Sequence, residues 1–242
     1  MNIQSSKKQC IDQLADLRNE FNEFSYIVSH DLKAPVRAIS NLSTWIEEDL
    51  GEAVPADVQQ NMNLLRSRTS RLELMIDALL KYSRVSLNQL NLDETNVQDI
   101  IDTAHQSIAG IQPVHLTVPV PLPVFHTYKE QLSFILTEIL HNTAYFGKNE
   151  KLTLTVTTRE HHDHVQFELA DNGGGVPEDA LDKLFRLFYT VAPKDVVETT
   201  GAGLTIIKKM VQVAGGEVEA MNNDTGGLTI RFSWPKEMNT QF

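Results

Sequence analysis

The chain has 242 residues, 41% of them apolar, and a formal net charge of −11. This length and apolar share allow one large or two small domains with a buried core and exclude a wholly disordered chain, while the acidic balance argues against nucleic acid or an anionic membrane as the main partner. A single cysteine, Cys10, rules out an internal disulfide, no apolar run reaches the roughly 20 residues that cross a bilayer, and the polar opening over 1–9 is not signal-like; together these predict a soluble, cytoplasmic chain, with a membrane involved only through a missing upstream segment.

From Cys10 the apolar positions Cys10, Leu14, Leu17, Phe21, Phe24 and Val28 alternate four and three apart, a heptad seam that needs a partner helix. The helix starts almost at the terminus and is expected to reach about Asp49, with a turn over 51–55. Phe21, Phe24, Val28, Leu32 and Ile39 share one face, and at 3.6 residues per turn His30 points roughly 150° away from it. An imidazole therefore stands in water beside Asp31, and Pro35, one turn on, removes a backbone hydrogen bond and bends the helix. A second helix is expected over 56–86, with Met62, Leu65, Thr69, Leu72, Ile76 and Leu79 as its seam. Two long helices with a short connection form an antiparallel hairpin. Apolar residues beside the seam (Leu64, Leu74, Met75, Leu80) call for two hairpins packed as a four-helix bundle.

Beyond Leu87 the texture changes. Residues 88–96 are polar and strand-like at best, 97–108 read as a helix, 115–118 as a strand, and 119–123 as extended loop. A helix follows over 127–146 with Thr127 as its cap. Residues 151–158 and 164–170 alternate as a strand pair about a polar tip. A short helix over 177–189, a helix over 203–214 and a strand pair over 216–221 and 227–234 complete the chain. Helices and strands mixed without regular βαβ alternation give an α+β arrangement, helices over one face of a mixed sheet.

Three stretches carry chemistry when taken together. Glu138 and Asn142 lie one turn apart on one face of an otherwise apolar helix, a carboxylate and an amide oxygen suited to a hard cation such as Mg²⁺. Asp171-Asn172-Gly173-Gly174-Gly175 follows a strand; its glycines let backbone approach a ligand, and Asp171 can accept a hydrogen bond from an exocyclic amine such as adenine's. Thr200-Gly201-Ala202-Gly203-Leu204 opens a helix, whose N-terminal amides are a ready phosphate site. In this order they describe a pocket with an adenine end, a metal and a phosphate end.

With these stretches in hand, the chain resembles the catalytic core of a sensor histidine kinase of two-component signalling. Phe24–Pro35 is similar to the family's phospho-acceptor box, Glu138–Phe146 to its N box, Asp171–Gly175 to G1, Leu184–Phe188 to the F box and Gly201–Leu204 to G2. The resemblance implies a coiled-coil or signalling helix over 1–20, a dimerisation and phospho-acceptor domain over 21–87, and over 88–242 an α/β sandwich with a mixed sheet that binds ATP. It implies that His30 attacks the γ-phosphate while Asp31 accepts the proton or orients the ring. Asn142 would bind Mg²⁺ with help from Glu138, and Asp171 would hold the adenine amine. Phe146 would lie along the adenine, Gly173 and Gly175 would shape the wall, and Thr200, Gly201, Gly203 and Leu204 would surround the phosphates. The 87–91 segment would be a hinge and 189–200 a lid. The hairpins would dimerise and dock a response regulator, whose aspartate takes the phosphoryl group. An unperturbed imidazole, with a pKa of about 6.5, is largely neutral and nucleophilic at pH 7.

The departures from the family pattern have consequences. Glu138 stands where the family often has Asn, as in the chaperone and gyrase ATPases, and raises ATP hydrolysis as an activity. Tyr145 replaces the N-box lysine, so a phosphate contact is lost or passes to Lys148 or another base. Thr199 replaces the first G2 glycine. Ala34, four residues after His30, replaces a Thr or Asn that supports dephosphorylation of the regulator and predicts weak phosphatase activity. Two alternatives remain open at this level: a degenerate core acting as a dimeric scaffold, and a plain ATPase. His161, His162 and His164 crowd a hairpin tip without a cage of further ligands, Trp45 and Trp234 are expected to pack, and Lys208 and Lys209 are expected to be solvated or, for one of them, to approach phosphate.

Overall fold

The computed structural model describes residues 3–51, 54–85, 92–191 and 199–236, with side chains in the first helix described at Gln13, Asp16, Leu17 and from Glu20 onward. The chain divides into two compact units at Arg84 and Val85.

The first unit is a helical hairpin. Helix α1 (Ile3–Leu50) runs for 48 residues without interruption at Pro35, and α2 (Ala56–Arg84) for 29. Ion pairs Lys33–Asp77, Arg37–Glu73 and Glu47–Arg66 set an antiparallel register. That register brings Ser29 level with Ser83, Val36 with Ile76 and Ser43 with Thr69, and all six are at most 6% exposed. The seam between the two helices is thus narrow and rich in hydroxyls. Most of these hydroxyls return to their own helix: Ser43 Oγ donates to the Ser40 carbonyl at 2.7 Å, Ser83 Oγ to Leu80 at 2.8 Å and Thr69 Oγ1 to Arg66 at 2.9 Å.

This corrects the expected packing. Phe21, Phe24, Leu32 and Ile39 of α1, with Leu65 and Leu72 of α2, are 39–64% exposed, and only Thr69 and Ile76 of the α2 seam are buried. Small side chains let two helices approach closely, so they occupy the face inside the hairpin, and the bulky apolar residues lie on faces that the hairpin alone does not cover. Trp45 is likewise exposed, not packed. The side chains of Cys10 and Leu14, Ser86 and the segment 87–91 lie outside the described residues.

The second unit comprises β1 (Asp93–Asn96), α3 (Val97–Ser107), β2 (His115–Thr117), β3 (Val124–Thr127), α4 (Lys129–Phe146), β4 (Thr153–Glu160), β5 (His164–Asp171), α5 (Glu178–Leu181), α6 (Gly203–Val213), β6 (Val218–Asn222) and β7 (Leu228–Pro235). Five strands form one sheet in the order β2-β4-β5-β7-β6, parallel between β2 and β4 and antiparallel elsewhere. Strands β1 and β3 make a separate antiparallel pair. Period-two alternation turns Leu154 and Val156, Val165, Phe167 and Leu169, and Ile230, Phe232 and Trp234 to one buried face. Apolar residues of α3, α4 and α6, among them Ile101, Leu132, Leu136, Leu140 and Ile207, complete the core. Phe167 and Phe232, paired across β5 and β7, stack with centroids 4.8 Å apart.

Two local expectations are corrected. Thr127 ends strand β3 rather than capping α4: it is fully buried, and its Oγ1 accepts a hydrogen bond from Trp234 Nε1 at 2.5 Å. Helix α4 begins at Lys129, and Tyr128 at its cap makes no side-chain cap bond. Strand β3 itself follows a proline-rich run whose period is too short to announce a strand. The 177–189 stretch holds one helical turn, α5, and continues as turns to Phe188, which adopts φ +63.

The Phe167–Phe232 stack sits at the centre of the sheet core. Phe232→Ala is expected to lower the unfolding free energy by about 3–5 kcal/mol. Urea unfolding of a Trp45→Phe background, which leaves Trp234 as the fluorophore, measures it.

Candidate functional site

In β5 the buried positions are Val165, Phe167 and Leu169, and the next in that alternation is Asp171. The strand that supplies the core therefore delivers a carboxylate to the core's edge. Asp171 Oδ1 accepts the Gly173 amide at 2.8 Å and the Leu228 amide at 3.0 Å. Two donors on one oxygen fix the rotamer, and among the described residues Oδ2 accepts no hydrogen bond. Burial pushes the Asp171 pKa above its ordinary value, and the two amides oppose that rise.

The close approach of β7 depends on Gly227. A Cβ there would meet the Asp171 carbonyl oxygen at 1.9 Å and Oδ1 at 2.6 Å, so only glycine admits the Leu228 amide to the carboxylate. Beyond Asp171 the loop turns through Gly173, buried, and Gly175, half-buried at φ +59. The Lys148 amide donates to the Gly173 carbonyl at 3.1 Å, which ties the loop to the end of α4. Lys148, one of the bases to which the lost phosphate contact could pass, runs beside this loop, with its Cδ 3.8 Å from the position of a Cβ at Gly174.

Helices α4 and α6 meet at Glu138 and Gly203. A Cβ at Gly203 would lie 2.5 Å from Glu138 Oε2, so the missing side chain is what lets the carboxylate reach the first residue of α6. Asn142 follows Glu138 by one turn and both are half-buried. Their neighbour Tyr145 is 48% exposed and meets His141 edge-on at 6.3 Å; Phe146, the last residue of α4, is half-buried. His141 in turn is 3.0 Å from Ser107 Oγ, which anchors this end of α4 to α3. Gly201 has φ +69, and Leu204 lies in the first turn of α6, whose N-cap residue Ala202 makes no side-chain cap bond. Thr205, one residue on, donates from Oγ1 to the Phe185 carbonyl at 3.0 Å, and Lys208 Nζ lies 5.4 Å from the centre of the Phe185 ring. Thr200 is half-buried. Most of the 189–200 stretch, residues 192–198, lies outside the described residues.

A carboxylate and an amide on one helix face suit Mg²⁺, which keeps most of its shell as water and substrate phosphate. Among the described residues no three His, Cys, Asp or Glu side chains gather as a metal site, the crowded histidine tip included. There His161 and His164 stack at 4.4 Å and His164 Nδ1 pairs with Asp163 at 2.8 Å.

The second feature lies in the helical unit. The His30 side chain is 73% exposed, and its Nδ1 lies 3.1 Å from Asp31 Oδ1. A carboxylate on Nδ1 favours the tautomer that carries its proton there and leaves the Nε2 lone pair toward solvent.

The sequence predicts the β6–β7 strand pair but not the part its turn plays at the Asp171 loop. Gly227, the Leu228 amide, Asn222 and Asn223 all bear on the Asp171 loop, and the available signal was the Asn222-Asn223 and Gly226-Gly227 pairs flanking a two-residue tip.

Comparison with known proteins assigns both units. Residues 20–88 match the His Kinase A (phospho-acceptor) domain, and residues 127–238 match the family of histidine kinase-, DNA gyrase B- and HSP90-like ATPases. Cyanobacterial phytochrome B of Nostoc sp. is 30% identical over 93% of this chain and 32% of its own length. The signal transduction histidine-protein kinase AfsQ2 of Streptomyces coelicolor is 26% identical over 93% of this chain and 48% of its own. Full-length ShkA, solved in complex with AMPPNP, has a TM-score of 0.67 at 20% identity, over 90% of this chain and 46% of that one. The chain spans about a third to a half of the length of these proteins. It belongs to the histidine kinases of two-component signalling and carries their catalytic core, a phospho-acceptor domain followed by an ATPase-family domain. No described helix is long and apolar enough to cross a membrane.

The raised pKa of Asp171 has a definite sign for stability. Between the unfolded value, near 3.8, and the raised folded value, the fold holds more proton than the unfolded chain, so stability falls as pH rises through that window. Asp171→Asn keeps an oxygen for both amides and removes the charge. Its denaturation midpoint is expected to exceed that of the wild type at neutral pH and to lose the decline seen as pH rises from about 4, as parallel urea titrations across pH would show.

Proposed function

We propose that this chain is an ATP-dependent protein histidine kinase that phosphorylates His30 and passes the phosphoryl group to an aspartate of a response-regulator receiver domain. The observation that carries the proposal is an exposed imidazole with Nδ1 on a carboxylate, in a phospho-acceptor domain, together with a core-edge Asp171 whose second oxygen is open. Asp171 Oδ2 accepts the exocyclic amine of adenine. Gly173 and Gly175 form the wall beside it, and Phe146 and Tyr145 flank the base at the end of α4. Thr200, Gly201, Gly203 and Leu204 surround the phosphates, where the α6 amides and helix dipole favour negative charge. Asn142 and Glu138 would hold Mg²⁺, which would supply charge neutralisation at the phosphates.

His30 Nε2 attacks the γ-phosphorus; the Nε2–P bond forms, the bond from phosphorus to the β–γ bridging oxygen breaks, and ADP leaves with that electron pair. The ring then carries positive charge, which Asp31 stabilises at Nδ1 or removes as a proton. Transfer of this kind depends on positioning and charge neutralisation.

The proposed division is a signalling helix over 1–20, a dimerisation and phospho-acceptor domain over 21–87, and a catalytic domain over 88–242, in a cytoplasmic protein. The exposed apolar residues Phe21, Phe24, Leu32 and Ile39 support a homodimer through the hairpins as a four-helix bundle. The double variant Leu32→Asp/Ile39→Asp is expected to sediment at the mass of one chain, against two for the wild type, in analytical ultracentrifugation.

Incubation with Mg²⁺ and γ-labelled ATP is expected to give acid-labile, base-stable label on the wild type and none on His30→Gln. Turnover of ATP without label would support the plain ATPase that Glu138 allows, and neither label nor turnover would support a scaffold.

A further inference from the structure

We infer that Asn222, at the end of β6, is a positioning residue for nucleotide recognition: it clamps the far end of the Asp171–Val176 loop and so fixes the shape of the wall. The inference rests on the proposed role of that loop in holding the adenine of ATP.

A glycine run has no side chains with which to hold itself. Three consecutive glycines after Asp171 sample many conformations, and a wall that must meet a flat base in one of them loses affinity in proportion to the others. The near end of the loop is fixed by the Asp171 carboxylate on the Gly173 amide at 2.8 Å. The far end has no such device of its own. Asn222 supplies it from another strand: Oδ1 accepts the Val176 amide at 3.0 Å and Nδ2 donates to the Val176 carbonyl at 2.8 Å. A primary amide that meets both backbone groups of one residue acts like a neighbouring strand, and the two contacts together specify orientation as well as distance. Nδ2 also lies 3.3 Å from Glu178 Oε1, at the start of α5.

Gly175 shows how close the clamp sits. A Cβ there would lie 2.8 Å from Asn222 Oδ1, and its φ of +59 already disfavours a side chain. Asn222 and Gly175 are thus fitted to each other, with the amide occupying the volume that a side chain would need. The neighbouring Asn223 serves the near end, donating from Nδ2 to the Asp171 carbonyl at 2.9 Å while its Oδ1 accepts the Gly227 amide at 2.8 Å. The β6–β7 turn therefore reaches both ends of the loop, and among the described residues Asn222 is the side chain that hydrogen-bonds the Val176 backbone.

Asn222 touches neither the adenine nor the phosphates in this account. Its removal should change binding of the base and leave the transfer step intact. Asn222→Ala and Asn222→Asp test this in the full chain, with ADP binding measured by calorimetry, autophosphorylation resolved into KM for ATP and kcat, and thermal unfolding of the nucleotide-free protein. Asn222→Asp keeps the acceptor for the Val176 amide but replaces the donor with an oxygen that faces a carbonyl. We expect Asn222→Ala to weaken ADP and raise KM by about tenfold, with kcat within about twofold of wild type and unfolding temperature nearly unchanged, and Asn222→Asp to fall no closer to wild type than Ala. Equal ADP affinity in Asn222→Ala and wild type overturns the inference. A parallel loss of affinity, kcat and unfolding temperature also overturns it, since that is what a merely structural residue gives. Wild-type protein that binds no ADP overturns the nucleotide reading and this inference with it.

Discussion

The geometry of the second unit turns on a carboxylate placed where a hydrophobic residue would be cheaper. Asp171 continues the buried series Val165, Phe167, Leu169, and its burial raises its pKa. Two backbone amides, from Gly173 and Leu228, offset part of that cost by donating to the same oxygen. What they leave is one carboxylate oxygen, rigidly aimed and without a partner among the described residues. A group of that kind destabilises the empty fold and discriminates strongly for a ligand that can donate to it, because a ligand without the donor leaves a buried acceptor unsatisfied. The glycines around it follow from the same requirement: Gly227 lets β7 reach the carboxylate.

The helical unit divides its labour differently. Its inner seam is narrow, made of Ser29, Val36 and Ser43 against Thr69, Ile76 and Ser83, and Ser29 Oγ is buried with no partner among the described residues. Little apolar surface is buried there, while Phe24, Leu32 and Ile39 stay exposed. A hairpin so arranged leaves its bulky apolar residues to be covered from outside, which is the physical ground for the bundle of two chains proposed above. His30 is on neither the seam nor the apolar stripe, so its imidazole can remain in water whichever helices pack beside it.

The order of elements was legible because helices with 3.6-residue periodicity and strands with period two are long here. Helices α1, α2, α4 and α6 and strands β4, β5 and β7 lie close to the positions their patterns predict. Strand β3 was not, because four residues after a run of prolines carry no period of their own, and its identity comes from pairing with β1 and from the Trp234–Thr127 hydrogen bond. The apolar seam is visible in the sequence, but the face of the hairpin on which it lies is not. A heptad shows that a helix needs a partner and does not say which partner, and in this hairpin the smallest residues won the inner face. Of the candidate site, the boxes around Glu138, Asp171 and Gly203 were visible as short motifs. Asn222, Asn223 and Gly227 were not, since their importance comes from a contact between strands some fifty residues apart, as with the Asn222–Val176 clamp across 46.

Glu138 and Gly203 show how two motifs that are weak singly constrain each other in space. A carboxylate late in an apolar helix is ordinary, and so is a glycine at a helix start. Here the carboxylate occupies the room that a Cβ at Gly203 would take, 2.5 Å from Oε2. An acid at a helix N-terminus is itself stabilised by the dipole and by the first-turn amides. Glu138 therefore lies at the electrostatic place proposed for phosphate. Under that proposal, triphosphate at α6 would either displace the carboxylate or bring a cation to stand between two sets of negative oxygens. The second course would keep both the dipole and the acid in use, and it would give Asn142, one turn away on the same face, the cation-holding role proposed for it.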